Sequence, residues 1–353
     1  MGDGRTDTPT TTEVPGNTTF RHANVSLLSI AEVEAPVAVT SDSFDDRLQG
    51  TLDRLSLPRN LLQRVAGVHA RRNWNDPGDF VSGAAEAGRR ALDQAGVAPE
   101  RVGLMINTSV TRESLEPSVA VTIHHEMGLA PQAMNFDITN ACLGFVNGMT
   151  VAATMIDGGH IDYAVVVAGE DASRVQDATI ERLNRPDITR EEYLEEFASL
   201  TLGSGAVAAV LGRTDRHPEG HRVLGGVTRG ATWNHGLCVG DHHGMFTDTK
   251  GLLENGMELV TAAWAEAHED DWDWQHMDRY VMHQVSNIHT NSIQKAADLA
   301  PEAIAKTYPV LGNVGPASLP ITLARETDLE RGDRILCMGV GSGLNTAMTE
   351  IVW

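Results

Sequence analysis

Six short apolar runs rich in Val, Ile and Met recur along the chain, at 102–109, 134–139, 162–168, 205–211, 279–283 and 334–339. Each has the length of a buried strand. Between them lie stretches of helical periodicity near 81–96, 117–128, 142–157, 251–267, 287–299 and 317–330, long enough to cover a sheet face. This alternation predicts an α/β fold of layered sheets and helices. A polar stretch with Pro and Gly, RTDRHPEGHR at 213–222, separates two comparable blocks, 20–212 and 223–353, and is expected to link them. In each block a strand delivers a polar or reactive residue directly into the following turn, so two similar halves are expected to meet at a central site.

With 353 residues, 41% of them apolar, the chain can bury a large core. The formal charge of −21 argues against a general binder of nucleic acid or anionic membrane, so an anionic substrate would need a local basic patch. No apolar run approaches the ~20 residues needed to span a bilayer. Residues 1–19 are rich in Thr, Gly, Pro and Asp and read as a flexible tail, not a secretory signal, which makes a cytoplasmic setting the default expectation. The three cysteines, Cys142, Cys238 and Cys337, lie far apart in neither disulfide-like nor metal-like spacing. The His pairs at 124–125 and 242–243 also lack metal-site spacing, and no metal is expected.

In MNFDITNACLGFVNGMTVAATMIDGG (134–159) a strand pattern ends near Thr139, and Phe145, Val146, Met149, Ala152, Ala153 and Ile156 then recur at helical spacing. That places Cys142 at the first turn of a buried helix, where unpaired N–H groups and the positive dipole end favour thiolate. A small residue at a tight helix–sheet contact would look the same. In the second block the strand RYVMH ends in His283, and Asn313 sits in the Gly- and Pro-punctuated loop LGNVGPASLP before a helix. His283 could be a structural strand-end residue and Asn313 a cap. Their functional alternative is a pair of neutral donors for an enolate oxygen. In the closing GVGSGLN run, Gly341, Ser342 and Gly343 would let backbone N–H groups approach the same centre.

Together NACLGFVNG, YVMHQVS, LGNVGPASLP and GVGSGLNTAMTEIVW resemble the ketosynthase III branch of the thiolase superfamily, over nearly all of the chain after about residue 20. More narrowly, GVHARR, INTSVTRESLEP, GVTRGATWN and GSGLN resemble OleA-type enzymes, which join two fatty acyl-CoA molecules head to head. The resemblance implies a five-layered αβαβα thiolase fold with two pseudo-equivalent halves. It makes Cys142 the acylated nucleophile, with His283 and Asn313 stabilising thioester oxygen and enolate. Glu116 matches the glutamate of the OleA type, a base for the α proton of a plain acyl thioester, although an acidic residue before Pro117 also suits a helix start. In related enzymes this glutamate reaches the neighbouring subunit's site, which implies a homodimer.

The implied product is a 2-alkyl-3-oxo acid or its thioester, which feeds olefin or β-lactone formation in related systems. No cofactor beyond the acyl-CoA substrate is implied. For CoA itself, Arg64, Arg71 and Arg72 form the best basic cluster in sequence, with Trp74 to stack on the base, although a solvated charged face reads equally well. Two alternatives stand beside this reading. One is a decarboxylative 3-oxoacyl carrier-protein synthase III using a malonyl carrier, which has no need of Glu116. The other is a subunit of a heterodimer that lends Glu116 or tunnel walls to a partner.

Overall fold

The computed structural model describes residues 19–241 and 244–353, so most of the expected tail and the His pair at 242–243 lie outside the described residues. Among the described residues ten strands form the principal sheet: β1 (Thr19–Arg21), β2 (Ser26–Glu34), β3 (Leu104–Asn107), β4 (Met134–Asp137), β5 (Tyr163–Glu170), β6 (Gly205–Gly212), β7 (His221–Gly230), β8 (Arg279–Met282), β9 (Arg334–Gly341) and β10 (Asn345–Val352). Pairing runs β8-β9-β10-β7-β2-β6-β5-β3-β4, with β1 added to β7. Strand pairing joins the two halves of this path where Ser26 and Leu27 of β2 meet Arg222 and His221 of β7.

The halves repeat one another. In the first, β3 lies parallel to both β4 and β5, and β5 is antiparallel to β6. In the second, β8 lies parallel to β9 and β9 antiparallel to β10, while a parallel bridge from Tyr280 to Ile304 stands where β4 stands in the first. Cys142 follows β4, and Asn313 follows the Ile304 bridge.

Side-chain alternation sets the layers. Along β5, Tyr163, Val165 and Val167 enter one core while Ala164, Val166 and Ala168 enter another. The first core packs under the helices α1 (Asp79–Ala95) and α2 (Val119–Met127) through Phe80, Ala84 and Ile123. The second is the middle layer, where Phe145 and Val146 of α3 (Gly144–Asp157) and Leu319 and Ile321 of α6 (Ser318–Ala324) meet both halves of the sheet. Tyr280, Leu336 and Met348 face a third core, capped by α4 (Thr249–Glu269) with α5 (Asn287–Ala296). The resulting order, helix–sheet–helix–sheet–helix, is the expected five-layered fold. Burial on both faces explains why the strands read as unbroken apolar runs.

Several element boundaries differ from the sequence expectation. Helix α6 stops at Ala324, short of 330, as Arg325 turns its guanidinium to Glu32 (2.9 Å) and Glu34 (2.6 Å) on β2. The last two residues of 213–222 already belong to β7. Among the described residues no helix is long and apolar enough to cross a membrane.

Candidate active site

Beyond β4 the chain turns sharply at Ala141, whose φ of +45° lies in the left-handed region, and Leu143 then caps α3. A side chain in that conformation costs roughly 1–2 kcal/mol, and the turn sets Cys142 at the mouth of the middle layer. A Cβ built on Gly144 would lie 2.9 Å from the Thr108 carbonyl, so only glycine lets α3 start this close to the end of β3.

Cys142 therefore stands one residue before the helix cap, not in the first turn, and the expectation of a stabilised thiolate is corrected. Burial pushes its thiol up to about 12, with smaller upward contributions from Cys238 and Glu170 and an opposing one from a backbone hydrogen bond. The residue keeps a partial opening to solvent, but its sulfur is densely surrounded. Desolvation outweighs the dipole because the helix-end field falls off within a turn whereas burial acts on the sulfur itself.

His283 follows β8 and is held through its backbone N–H, which donates to Met338 on β9 at 2.9 Å. Its Nδ1 is buried without a hydrogen-bond partner among the described residues. Burial first, and His289 second, lower its pKa to about 4. At neutral pH the ring is uncharged, so it can donate or accept a hydrogen bond without carrying a positive charge. A histidine NMR titration should find His283 neutral down to pH 5 and protonating only near 4; a midpoint near the ordinary value of 6.5 would contradict this environment.

Asn313 is locked from both sides. Its N–H donates to Thr201 at 2.9 Å, and its carbonyl accepts from Gly203 at 2.9 Å. Its side-chain Oδ1 accepts from the Gly315 N–H (3.0 Å) and from the Ser318 hydroxyl (3.3 Å). With both acceptor positions occupied, the amide has its NH₂ left to offer. The loop tolerates no larger residue at Gly312, where φ is +68° and a Cβ would lie 2.4 Å from the Thr201 carbonyl.

A Cβ on Gly341 would sit 3.0 Å from the Asn140 carbonyl and 3.1 Å from the Leu143 nitrogen, so the closing glycine run abuts the Cys142 turn. Asn345 Nδ2 donates to Asn140 Oδ1 at 3.2 Å across the same seam, and Ser342 and Gly343 between them are half-buried. Glu170, at the end of β5, lies 3.6 Å through its Cδ from a Cβ built on Gly315. Sequence reasoning missed it. Burial raises its pKa to about 7 despite hydrogen bonds from Val110 and Thr111. The one available signal was a carboxylate closing the otherwise apolar run YAVVVAGE.

Glu116 is exposed on the irregular segment between β3 and α2, beside Leu115. Among the described residues no hydrogen bond or ion pair joins it to Cys142, His283 or Asn313 of its own chain.

The expected CoA cluster does not exist as a cluster. In the short strand Ala70–Asn73 neighbouring side chains point to opposite faces, so Arg71 and Arg72 part company. Arg71 is fully buried against the Phe44 ring (4.5 Å) with Nη2 on Ser41, and burial lowers its pKa to about 10. Arg72 pairs with Glu34 at 2.5 Å. Trp74 donates Nε1–H to the Glu170 carbonyl (2.9 Å) and packs so tightly on α1 that a Cβ on Gly83 would lie 2.4 Å from its ring. Arg71 and Trp74 are thus structural, and of the four only Arg64 is exposed.

Two stacked α/β halves of matching topology, the first carrying Cys142 and the second a neutral His283 and the amide of Asn313, are those of a thiolase-fold enzyme. The family profile for 3-oxoacyl-(acyl-carrier-protein) synthase III matches residues 136–229, and that for its C-terminal part matches 267–353. An acyl-CoA:acyl-CoA alkyltransferase of Xanthomonas campestris pv. campestris is 44% identical over 94% of this chain and 99% of its own. A protein of the same description from Shewanella oneidensis is 32% identical over 95% of this chain and 100% of its own. A solved structure of a cysteine variant of Xanthomonas campestris OleA, with bound lauric acid and lauroyl-CoA, superposes with a TM-score of 0.91 at 42% identity, covering 94% of this chain and 100% of that one. The chain belongs to the ketosynthase III branch of the thiolase superfamily, and within it to the OleA-like acyl-CoA condensing enzymes.

Proposed function

We propose that the chain joins two fatty acyl-CoA molecules by a non-decarboxylative Claisen condensation. Cys142 attacks the first thioester; its S–H proton leaves with CoA as the free thiol, and an acyl-Cys142 thioester remains. Glu116 takes an α proton from the second acyl-CoA. The enolate oxygen is held by neutral His283 and by the Asn313 NH₂, donors placed where charge develops. The enolate carbon then attacks the acyl-Cys142 carbonyl, the Cys142 thiolate is expelled, and the proton on Glu116 restores the thiol. The product is a 2-alkyl-3-oxoacyl-CoA, which water hydrolyses to the acid. No cofactor enters this scheme.

The near full-length similarity to two acyl-CoA:acyl-CoA alkyltransferases carries this reading. Mass spectrometry of products from a single acyl-CoA tests it: a β-keto product of doubled acyl content is expected, and strict dependence on a malonyl thioester would sink it. Exposure of Glu116 beside Leu115, which is 86% exposed, supports a homodimer in which Glu116 serves the partner's site. A reducing cytoplasm, where free thiols and acyl-CoA coexist, fits the three unpaired cysteines.

If His283 and Asn313 hold the enolate, either changed to alanine should lower condensation about 10²–10³-fold while the fold persists. Near-normal turnover in both variants would return them to a structural role.

A further inference from the structure

We propose that Glu170 is a positioning residue for condensation, its side chain anchoring the segment that carries Glu116. The inference rests on the reading of Glu116 as base. Residues 110–117 contain no helix or strand and exchange no backbone–backbone hydrogen bond among the described residues. Carboxylates hold the segment at its two ends instead. At its start, Glu170 Oε1 accepts from the Val110 N–H at 2.7 Å, and Oε2 accepts from the Thr111 N–H at 3.1 Å and the Thr111 hydroxyl at 2.6 Å. Thr111 Oγ1 accepts in turn from the Asp171 N–H at 3.1 Å. At its far end, Asp137 accepts from the N–H groups of Val119 (3.2 Å) and Ala120 (2.9 Å). Between the anchors, Arg112 reaches Asp137 and Glu113 pairs with Arg174, while Glu116 stands exposed.

The Glu170 anchor is rigid. It is nearly buried at the end of a fully buried strand, with its carbonyl held by Trp74 and its carboxyl against the Gly315 loop. The direction in which residues 110–117 leave the core, on which the reach of Glu116 depends, is therefore held at its start by three hydrogen bonds to one side chain, charge-assisted in its ionised form. Glu170→Gln keeps the volume but turns one oxygen into an NH₂ group that faces N–H donors. A base displaced by about 1 Å can cost about 10²-fold in rate.

Three measurements test the proposal. Glu170→Gln should form acyl-Cys142 at no less than the native rate, because removing a negative neighbour favours the thiolate, yet condense about 10²-fold more slowly, the same split expected of Glu116→Gln. Thr111→Val, which deletes the hydroxyl's bond to Glu170 and the one it accepts from the Asp171 N–H, should show the same split at roughly tenfold. Equal loss of both steps in the two variants, in parallel with a lowered melting temperature, would reduce Glu170 to a fold-holding role and overturn the proposal.

Mixed dimers supply the third measurement. A Cys142→Ser chain paired with a Glu170→Gln chain has one reactive cysteine, served by Glu116 from the chain whose Glu170 is intact. Condensation should recover in it, as in the control pairing of Cys142→Ser with Glu116→Gln. Recovery in the control alone would mean that Glu170 acts on its own chain's centre and would refute the proposal. Recovery in neither would refute the sharing of Glu116 across subunits, and the split between acylation and condensation in Glu170→Gln then decides the anchor on its own.

Discussion

Changing Cys142 to serine is expected to eliminate the acyl-enzyme and to lower condensation by on the order of 10⁴-fold or more, the scale seen when a nucleophile is removed from a site whose parts act as a unit. A thiol pushed up to about 12 holds only about 10⁻⁵ of its population as thiolate at pH 7, so attack must accompany loss of the proton. Adduct formation in the native enzyme should accordingly quicken as pH rises from 7 to 9, since the thiolate fraction is still climbing there. Serine, with a far less acidic hydroxyl, loses even that fraction. Intact-mass measurement after mixing with acyl-CoA, followed by peptide mapping, reads the outcome. The competitor to watch is Cys238, half-buried beside Thr247 and close enough to influence Cys142, whereas Cys337 is buried in the middle layer. An adduct that persists in the serine variant and maps to Cys238 would move the nucleophile there.

The legible parts of this fold are those where one physical demand dominates. Strands such as β5 and β6, covered on both faces, are apolar over nearly their whole length and so announce themselves. Strands β2, β7 and β10 were not among the six runs. They carry Ser, Glu, Gly and Thr among the apolar residues, as SLLSIAEVE and NTAMTEIV show, and their membership depends on pairing with one another across the junction. Cys142 and His283 could be placed because each follows a strand that its sequence marks, and Asn313 because Gly and Pro punctuate its loop. What local sequence could not convey was the environment: the dipole argument for Cys142 saw the helix but not the burial that outweighs it. Arg71 and Arg72 are adjacent in the chain and opposite in space. Glu170 gained its meaning only from N–H groups about sixty residues earlier in the chain, which no motif records.

Glu116 to glutamine should separate the two halves of the reaction. The substitution keeps the shape of an exposed side chain that touches none of the core, so folding should be unaffected. Acylation of Cys142 precedes any need for a base at Glu116, so the first acyl-CoA should load at the native rate. Carbon–carbon bond formation then needs an α proton removed from a plain thioester. An amide cannot accept it, and loss of a positioned general base costs about 10²–10⁴-fold. Acyl-Cys142 should therefore accumulate to one equivalent per chain and persist, while extraction finds little β-keto product from the same reaction. Malonyl-CoA sharpens the experiment, because loss of carbon dioxide generates the nucleophilic carbon without a base: a decarboxylative enzyme given malonyl-CoA would be indifferent to the substitution. If Glu116→Gln joins two plain acyl-CoA molecules at the native rate, another group abstracts the proton, and the segment held by Glu170 carries no base.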